Sequence, residues 1–380
     1  MLGVFFGAVS LLVLFNLVVD PYDFFRLGPW KGSGLTNERL WKLQYLDDHR
    51  GKYNGFYVGS STTSQIYPRD IKELRPDLDF YNLGVANGVP SDYEIILRYL
   101  LGHGHKPKQV VVQLDVKVMW NYWENEQVVY KEFGPDVTGE SPLSFYGAYL
   151  LRFHMKGAKA KVLYHLLNFP PGPHESYDRS TGVFTFDHEE LLIKEDHFGF
   201  MTRYDVADDR LKRGKRQPTT LTESLQALQR MVDVCKSYHV PLTIVLAPPN
   251  DSLMNEITFK DMSSMIRGMA RIYPFWDFTG YNSVTLDDRL YYDLFHTRPT
   301  AAKRMVKKIF GKGPVDPKDD FGHWVDEKNV ERRLARLRRE FEWADSVFSV
   351  LPPRKAGDGF KALEMYLASD LAPDPKRLAP

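Results

Sequence analysis

The sequence predicts an α/β protein: a three-layer sandwich built on a mostly parallel central sheet, preceded by a transmembrane helix. Three observations lead there. Short apolar runs alternate with helical patterns from Gly55 onward, the rhythm of strand–helix–strand crossovers. One run, Gln109–Leu114, is continuously Val-rich, as strands buried on both faces of a parallel sheet are. Leu2 to Val19 is almost wholly apolar, with only Ser10 and Asn16 as mild polar breaks.

The apolar stretch comes first. Its 18 residues approach the roughly 20 needed to cross a bilayer. A cleaved signal peptide fits less well, because Val18-Val19-Asp20-Pro21 is a poor cleavage site; a buried core helix is the third reading. No basic residue precedes the stretch, so charge gives little orientation. One short anchor before a large soluble domain puts that domain on the extracytoplasmic side of the cell membrane, as a single-pass protein. The division expected is residues 1–20 as anchor, 21–313 as the main domain with an insertion over about 120–216, and 314–380 as a basic amphipathic helix with a Pro-rich tail.

Asp20 to Gly34, rich in Pro, Gly and aromatics, reads as the exit from the membrane. Asn37 to Arg50 is an amphipathic helix with Leu40, Leu43 and Leu46 near helical spacing. Gly55–Val58 and Asp79–Leu83 are strands. Ser91–Leu101 is a helix, opened by a Ser91/Glu94 capping box and stopped at Gly102. Gln109–Leu114 is the third strand. The aromatic, Pro-containing insertion ends in a basic run, Arg210–Arg216, read as a solvated loop. Thr220 and Glu223 form a second capping box for a helix over Leu221–Tyr238, whose stripe Leu225, Leu228, Val232 and Cys235 belongs to a core. Pro241–Ala247 is a strand, Met262–Tyr273 a helix, Phe275–Phe278 a last short strand. A helix follows from Pro299, suited to a first turn, to Phe310. In the C-terminal helix Val330, Leu334, Leu337, Phe341 and Phe348 form one stripe and arginines crowd the rest; packing on the main domain with the arginines in solvent is the plain expectation.

Composition bounds function. The chain has 380 residues, with 50 Lys and Arg against 49 Asp and Glu. That balance argues against a nucleic-acid binder. Cys235 is the single cysteine, so neither an internal disulfide nor a thiolate zinc site is available. No metal or other cofactor is expected.

The chemistry gathers at two places. Phe56-Tyr57-Val58-Gly59-Ser60-Ser61-Thr62-Thr63-Ser64 reads as a strand that breaks at a glycine into a helix, with hydroxyls at the break. Backbone N–H groups and a helix dipole would lie beside a serine oxygen there. Acyl transfer through serine also needs an imidazole and an orienting carboxylate. Asp293-Leu294-Phe295-His296 offers both, at a spacing that lets the carboxylate reach the ring. In a doubly wound sheet, both stretches lie at C-terminal strand ends, where sites form. Trp120, Tyr122 and Trp123, just past the third strand, are core residues by default, and Trp120 and Trp123 are the candidates for stacking on sugar rings.

Gly59-Ser60-Ser61, Asn82-Leu83-Gly84 and Asp293-Leu294-Phe295-His296 resemble three sequence blocks of the SGNH (GDSL-type) hydrolase superfamily, a flavodoxin-like α/β fold. The serine-first order is similar to its membrane-anchored, DltD-like branch and to polysaccharide O-acetyltransferases. The resemblance covers about residues 50 to 312. It implies Ser61 as nucleophile, with Ser60 the second choice, His296 as base and Asp293 as the orienting acid. It implies the Ser61 and Gly84 N–H groups as oxyanion-hole donors. The family's Gly-x-Asn-Asp block is missing where Gln113-Leu114-Asp115 stands, so the third donor falls to Asn87 or Gln113. The implied function is acyl transfer, most simply acetyl, to hydroxyls of a cell-surface polysaccharide or other envelope polymer. The implied partner is a polytopic membrane-bound O-acyltransferase. A carbohydrate esterase or deacetylase with the same triad, and a non-catalytic scaffold subunit of an acylation complex, are the alternatives.

Overall fold

The structure is a computed structural model describing residues 2–27, 30, 36–120, 132–167, 177–196, 200, 218–312, 319–350, 359–369 and 371. The chain forms two units: Met1–Arg50 with Asn125–Glu190, and Gly51–Glu124 with Leu191–Pro380. Residues 21–50 thus go with part of the expected insertion, and the C-terminal helix goes with the sheet. The basic run Arg210–Arg216 and Trp123 lie outside the described residues.

In chain order the strands among the described residues are β1 (Gly55–Ser60), β2 (Phe80–Val85), β3 (Gln109–Leu114), β4 (Tyr177–Asp178), β5 (Val183–Phe184), β6 (Leu242–Leu246), β7 (Phe275–Asp277) and β8 (His323–Val325). β4 and β5 make a small antiparallel pair in the first unit. The other six form one sheet in the second unit, ordered β2-β1-β3-β6-β7-β8. It is parallel throughout except for the β7–β8 edge. Every residue of β1 and β2 is buried, as in strands covered on both faces of a parallel sheet, and their polar members Ser60 and Asn82 are hydrogen-bonded inside. The short edge strand β8 was not among the expected elements.

Helices between the strands supply the crossovers that parallel pairing requires. Pro68–Leu74 joins β1 to β2 and Pro90–Gly102 joins β2 to β3. The helices Pro68–Leu74 and Pro299–Phe310 share a core with Tyr57, Val111 and Val245 of the sheet, through Ile71, Ala301, Met305 and Phe310 among others. Pro218–Ser237 packs on Pro90–Gly102 and on Phe259–Ile272. Both expected capping boxes are displaced. The first helix opens at Pro90, and Asp92 Oδ2 reaches back to the Val89 N–H at 3.0 Å. Glu94 instead pairs with Arg98 and Arg230. The second helix opens at Pro218, leaving Thr220 inside it. At Pro90 a proline with preset φ defines the first turn ahead of Ser91.

The C-terminal helix, Val330–Phe348, lies on Phe259–Ile272, with Phe341 against Phe259 and Glu331 paired to Arg267 at 2.7 Å. Val330, Leu334, Leu337 and Phe341 of its stripe are buried as expected and Phe348 only partly so, and there is one exception to the arginine pattern. Arg333 points inward, donating from Nε to Asp277 at 2.7 Å, from Nη1 to Glu340 at 3.2 Å and from Nη2 to the Thr279 carbonyl at 2.9 Å. All three side chains are buried, so the helix is held by a satisfied ionic cluster as well as by apolar contact.

In the first unit, Leu2–Val19 forms a single helix that is long and apolar enough to cross a membrane. Its C-terminal end is tied to the segment Pro142–Leu167. Tyr149 Oη donates to Asp20, and Lys161 Nζ donates at 2.6 Å to both the Asp20 carbonyl and the Asp23 carboxylate.

Candidate active site

The sheet order reverses direction at β1: β2 lies on one side of it and β3 on the other. Crevices beyond the C-terminal strand ends at such a switch point are where open α/β sheets bind ligands. Ser61 follows β1 directly. The expected helix does not start there as an α-helix. Ser61–Thr63 is one 3-10 turn, and the next helix begins only at Pro68. A macrodipole therefore adds little at Ser61; local hydrogen bonds hold the turn.

Two glycines let the turn sit on the strand ends. A Cβ on Gly84 would run into Thr63 Oγ1, the Ser60 carbonyl and Asn82 Oδ1, and one on Gly59 into Thr63 Cγ2. Asn82 braces the turn from below. Its Nδ2 donates to the Thr63 carbonyl at 2.8 Å and the Ile66 carbonyl at 3.0 Å, and its Oδ1 accepts the Gly84 N–H at 2.8 Å.

The second motif arrives on a closed loop. Tyr291 and Thr297 bridge antiparallel, and the Tyr292 N–H donates to the His296 carbonyl at 2.8 Å. Asp293 shapes its own turn: Oδ1 accepts the N–H groups of Phe295 and His296, both at 2.8 Å. Its other oxygen lies 2.6 Å from His296 Nδ1. The three-residue spacing thus serves the loop and the ring with one carboxylate. The segment after β6 supports the loop, where the Asn250 N–H donates to the Leu294 carbonyl at 3.0 Å.

These loops bring His296 Nε2 to 2.8 Å from Ser61 Oγ, across 235 positions of chain. Hydroxyl, imidazole and carboxylate stand in one hydrogen-bonded line, with His296 and Asp293 partly buried. Burial penalises the charged forms of both. The His296 interaction nevertheless holds the Asp293 carboxyl down at about 2, and Asp293 raises the imidazole above its ordinary value. An imidazole so placed can take a proton from the hydroxyl, and the charge that results is met by the carboxylate.

Two further residues, Asp115 and Lys117, frame this line. The register Val58↔Val112 between β1 and β3 brings Asp115 to the height of Ser61 on the neighbouring strand end. Asp115 Oδ2 accepts the Ser60 hydroxyl at 2.8 Å, Oδ1 accepts the Val118 N–H at 2.9 Å, and its charge also raises the His296 pKa. Burial pushes the Asp115 carboxyl itself upward. Lys117 lies 4.0 Å from the centre of the Phe295 ring. Burial lowers its pKa, and its charge opposes protonation of His296. The sequence did offer a signal for Asp115: an acid at the C-terminal end of a parallel strand beside the serine strand.

The other expected site residues fare differently. Ser60 is buried, with its hydroxyl bonded to Asp115 and Thr62. The Gly84 N–H is held by Asn82 Oδ1, so it does not stand open as an oxyanion donor. Gln113 has both ends of its amide engaged, accepting from Tyr57 Oη and donating to Thr62 Oγ1. Asn87 is exposed, at a left-handed turn position with φ 49° just past β2. Trp120 is buried, 6% exposed, and presents no open face for stacking. Among the described residues, no group of three or more His, Cys, Asp or Glu is arranged to hold a metal.

Comparison with protein-family models returns no match, and no curated protein is significantly similar in sequence. The class of the protein therefore rests on its fold and site alone: a mostly parallel α/β sheet with a Ser–His–Asp line at its switch point.

Proposed function

We propose that this chain is a serine acyltransferase of the SGNH type, anchored by Leu2–Val19 with its soluble part outside the cytoplasm. It passes an acyl group, most simply acetyl, to hydroxyls of a cell-surface polysaccharide or other envelope polymer. The observation that carries the reading is the Ser61–His296–Asp293 line, 2.8 and 2.6 Å, between segments far apart in sequence. The three-layer SGNH arrangement is part of the proposal. It is supported by the shared core of helices Pro68–Leu74 and Pro299–Phe310 with one set of sheet residues, and by the mutual packing of Pro90–Gly102, Pro218–Ser237 and Phe259–Ile272.

In this scheme His296 Nε2 takes the Ser61 proton as Oγ attacks the acyl carbonyl. The imidazolium, paired with Asp293, returns that proton to the leaving group, and an acyl ester remains on Ser61. His296 then deprotonates the acceptor hydroxyl. The acceptor oxygen attacks the ester, and Ser61 leaves as the regenerated hydroxyl. The Ser61 N–H and the Asn87 amide are assigned to the developing oxyanion, each such donor contributing about 3 kcal/mol to the transition state. A polytopic membrane-bound O-acyltransferase is the proposed source of the acyl group.

Incubation with an aryl acetate, with and without an oligosaccharide acceptor, tests the assignment. Acetylated sugar supports transfer. Hydrolysis that no acceptor diverts reassigns the protein as an esterase. Absence of turnover and of any Ser61 adduct reassigns it as a non-catalytic subunit.

A further inference from the structure

The first unit carries an apolar feature that an anchor alone does not explain. Leu151, Phe153 and Met155 follow one another at alternate positions and are 59, 61 and 61% exposed. They belong to the turn between the helices Pro142–Leu150 and Met155–Leu167. That turn is fixed to the N-terminal helix. Asn16 Nδ2 donates to the Leu150 and Arg152 carbonyls, both at 2.8 Å, and the Phe153 ring lies 6.1 Å from that of Phe15. Phe153 also closes one side of an open apolar hollow of about 600 Å³, lined otherwise by Leu11, Leu12, Leu14, Phe15, Val18 and Val19.

The helix length then sets the depth of this turn. Eighteen residues at 1.5 Å each make about 27 Å, slightly less than the roughly 30 Å of a bilayer's hydrocarbon core. A helix that short has no length to spare outside the lipid. Phe15 is four residues before Val19, so its ring and that of Phe153 lie about 6 Å inside the helix end. Backbone at such a depth must be satisfied within the protein, which is what Asn16 does for the two carbonyls. The depth is held, because Asp20 and Asp23, just past the helix, are locked to Tyr149 and to buried Lys161.

We propose that the turn Leu151–Met155 is immersed in the lipid leaflet at the C-terminal end of the N-terminal helix, with Leu151, Phe153 and Met155 among the acyl chains. This rests on the reading that Leu2–Val19 crosses the membrane. Lipid is the occupant argued for because the exposed side chains continue the surface of the span itself. Exposed Arg152, Lys156 and Lys159 border them, as cations that reach up to lipid phosphates do. The first unit is then seated on the bilayer at two points instead of hanging from one helix.

Spin labelling of the full chain in vesicles of phosphatidylcholine and phosphatidylglycerol tests this. Cys235 is buried, and burial pushes its thiol up to about 12, so it stays unlabelled. Labels go at Phe153→Cys, at Met155→Cys as a second site, at Leu14→Cys within the span, and at exposed Lys106→Cys as the aqueous reference. Expected at Phe153 and Met155 is a ratio of oxygen to nickel-chelate collisions several-fold above that at Lys106 and close to that at Leu14. A water-like ratio at 153 and 155, with a lipid-like one at Leu14, overturns the inference and leaves the anchor intact. Exclusion of both reagents at 153 and 155 also overturns it, and assigns the patch to a second copy or another protein. A water-like ratio at Leu14 overturns the anchor and the inference together.

Discussion

Asn82→Ala tests the way the serine turn is held. The substitution removes two donations, to the carbonyls of Thr63 and Ile66, and the acceptor of the Gly84 N–H. All three backbone groups lie in buried surroundings, and each costs at least about 1 kcal/mol when stranded, for a loss of about 3 kcal/mol. In a unit of this size that lowers the melting temperature by about 6 °C. Ser61 rides on the same turn, and a displacement of about 1 Å at a reacting atom is enough to lower turnover about 100-fold. Thermal melts followed by near-ultraviolet circular dichroism, with aryl acetate hydrolysis on the same samples, measure both. Asn87→Ala is the control: Asn87 is exposed, so stability should change by no more than about 0.5 kcal/mol, while the proposed oxyanion role predicts reduced turnover. An Asn82→Ala protein that melts with the wild type would refute the bracing argument.

Other consequences follow from the same geometry. The His296 pKa is raised, and a base must be neutral, so kcat/KM should fall as pH drops through a midpoint above the ordinary histidine value. Asp115→Asn should move that midpoint down, because it removes a charge that favours the imidazolium; a pH–rate profile reads the shift. In stability terms, the His296 contribution is full below its unfolded pKa and is lost as pH rises through the folded one. The Asp293 contribution has the opposite sense: it is present above the ordinary carboxyl value and lost as pH falls toward about 2. Asp293→Asn should lower kcat by about 10⁴, since the amide cannot hold the imidazole in the required tautomer or meet its charge. Arg333→Met takes the cation from buried Asp277 and leaves Glu340 with Arg336 alone, and should cost about 3–5 kcal/mol, read by urea denaturation.

What was legible in the sequence was mostly local. The Val-rich run of β3, the hydroxyl-rich break after β1 and the Asp-x-x-His loop each announce themselves within a few residues, because buried parallel strands and Asx turns have short-range rules. Partners across long stretches of chain were not legible. Gly84 looked like an oxyanion donor and Asn82 only like its neighbour in one motif, yet the Asn82 amide folds under the serine turn and takes the Gly84 N–H. Seeing that requires knowing that Thr63 and Ile66 lie above it. Arg333 looked like one more solvated arginine until β7 brought Asp277 beneath its helix. The Ser91/Glu94 capping box failed for another reason: two rules competed at one helix start, and Pro90 won. Trp120 kept its default role as a buried aromatic.

The central claim is that Ser61 carries the acyl group. Intact-protein and peptide mass spectrometry after brief exposure to an aryl acetate tests it directly. The account predicts one added acetyl group on Ser61, unchanged in position by Ser60→Ala, and absent in Ser61→Ala and in His296→Ala. An adduct on Ser60 or elsewhere, or one on Ser61 that forms equally well without His296, would contradict it.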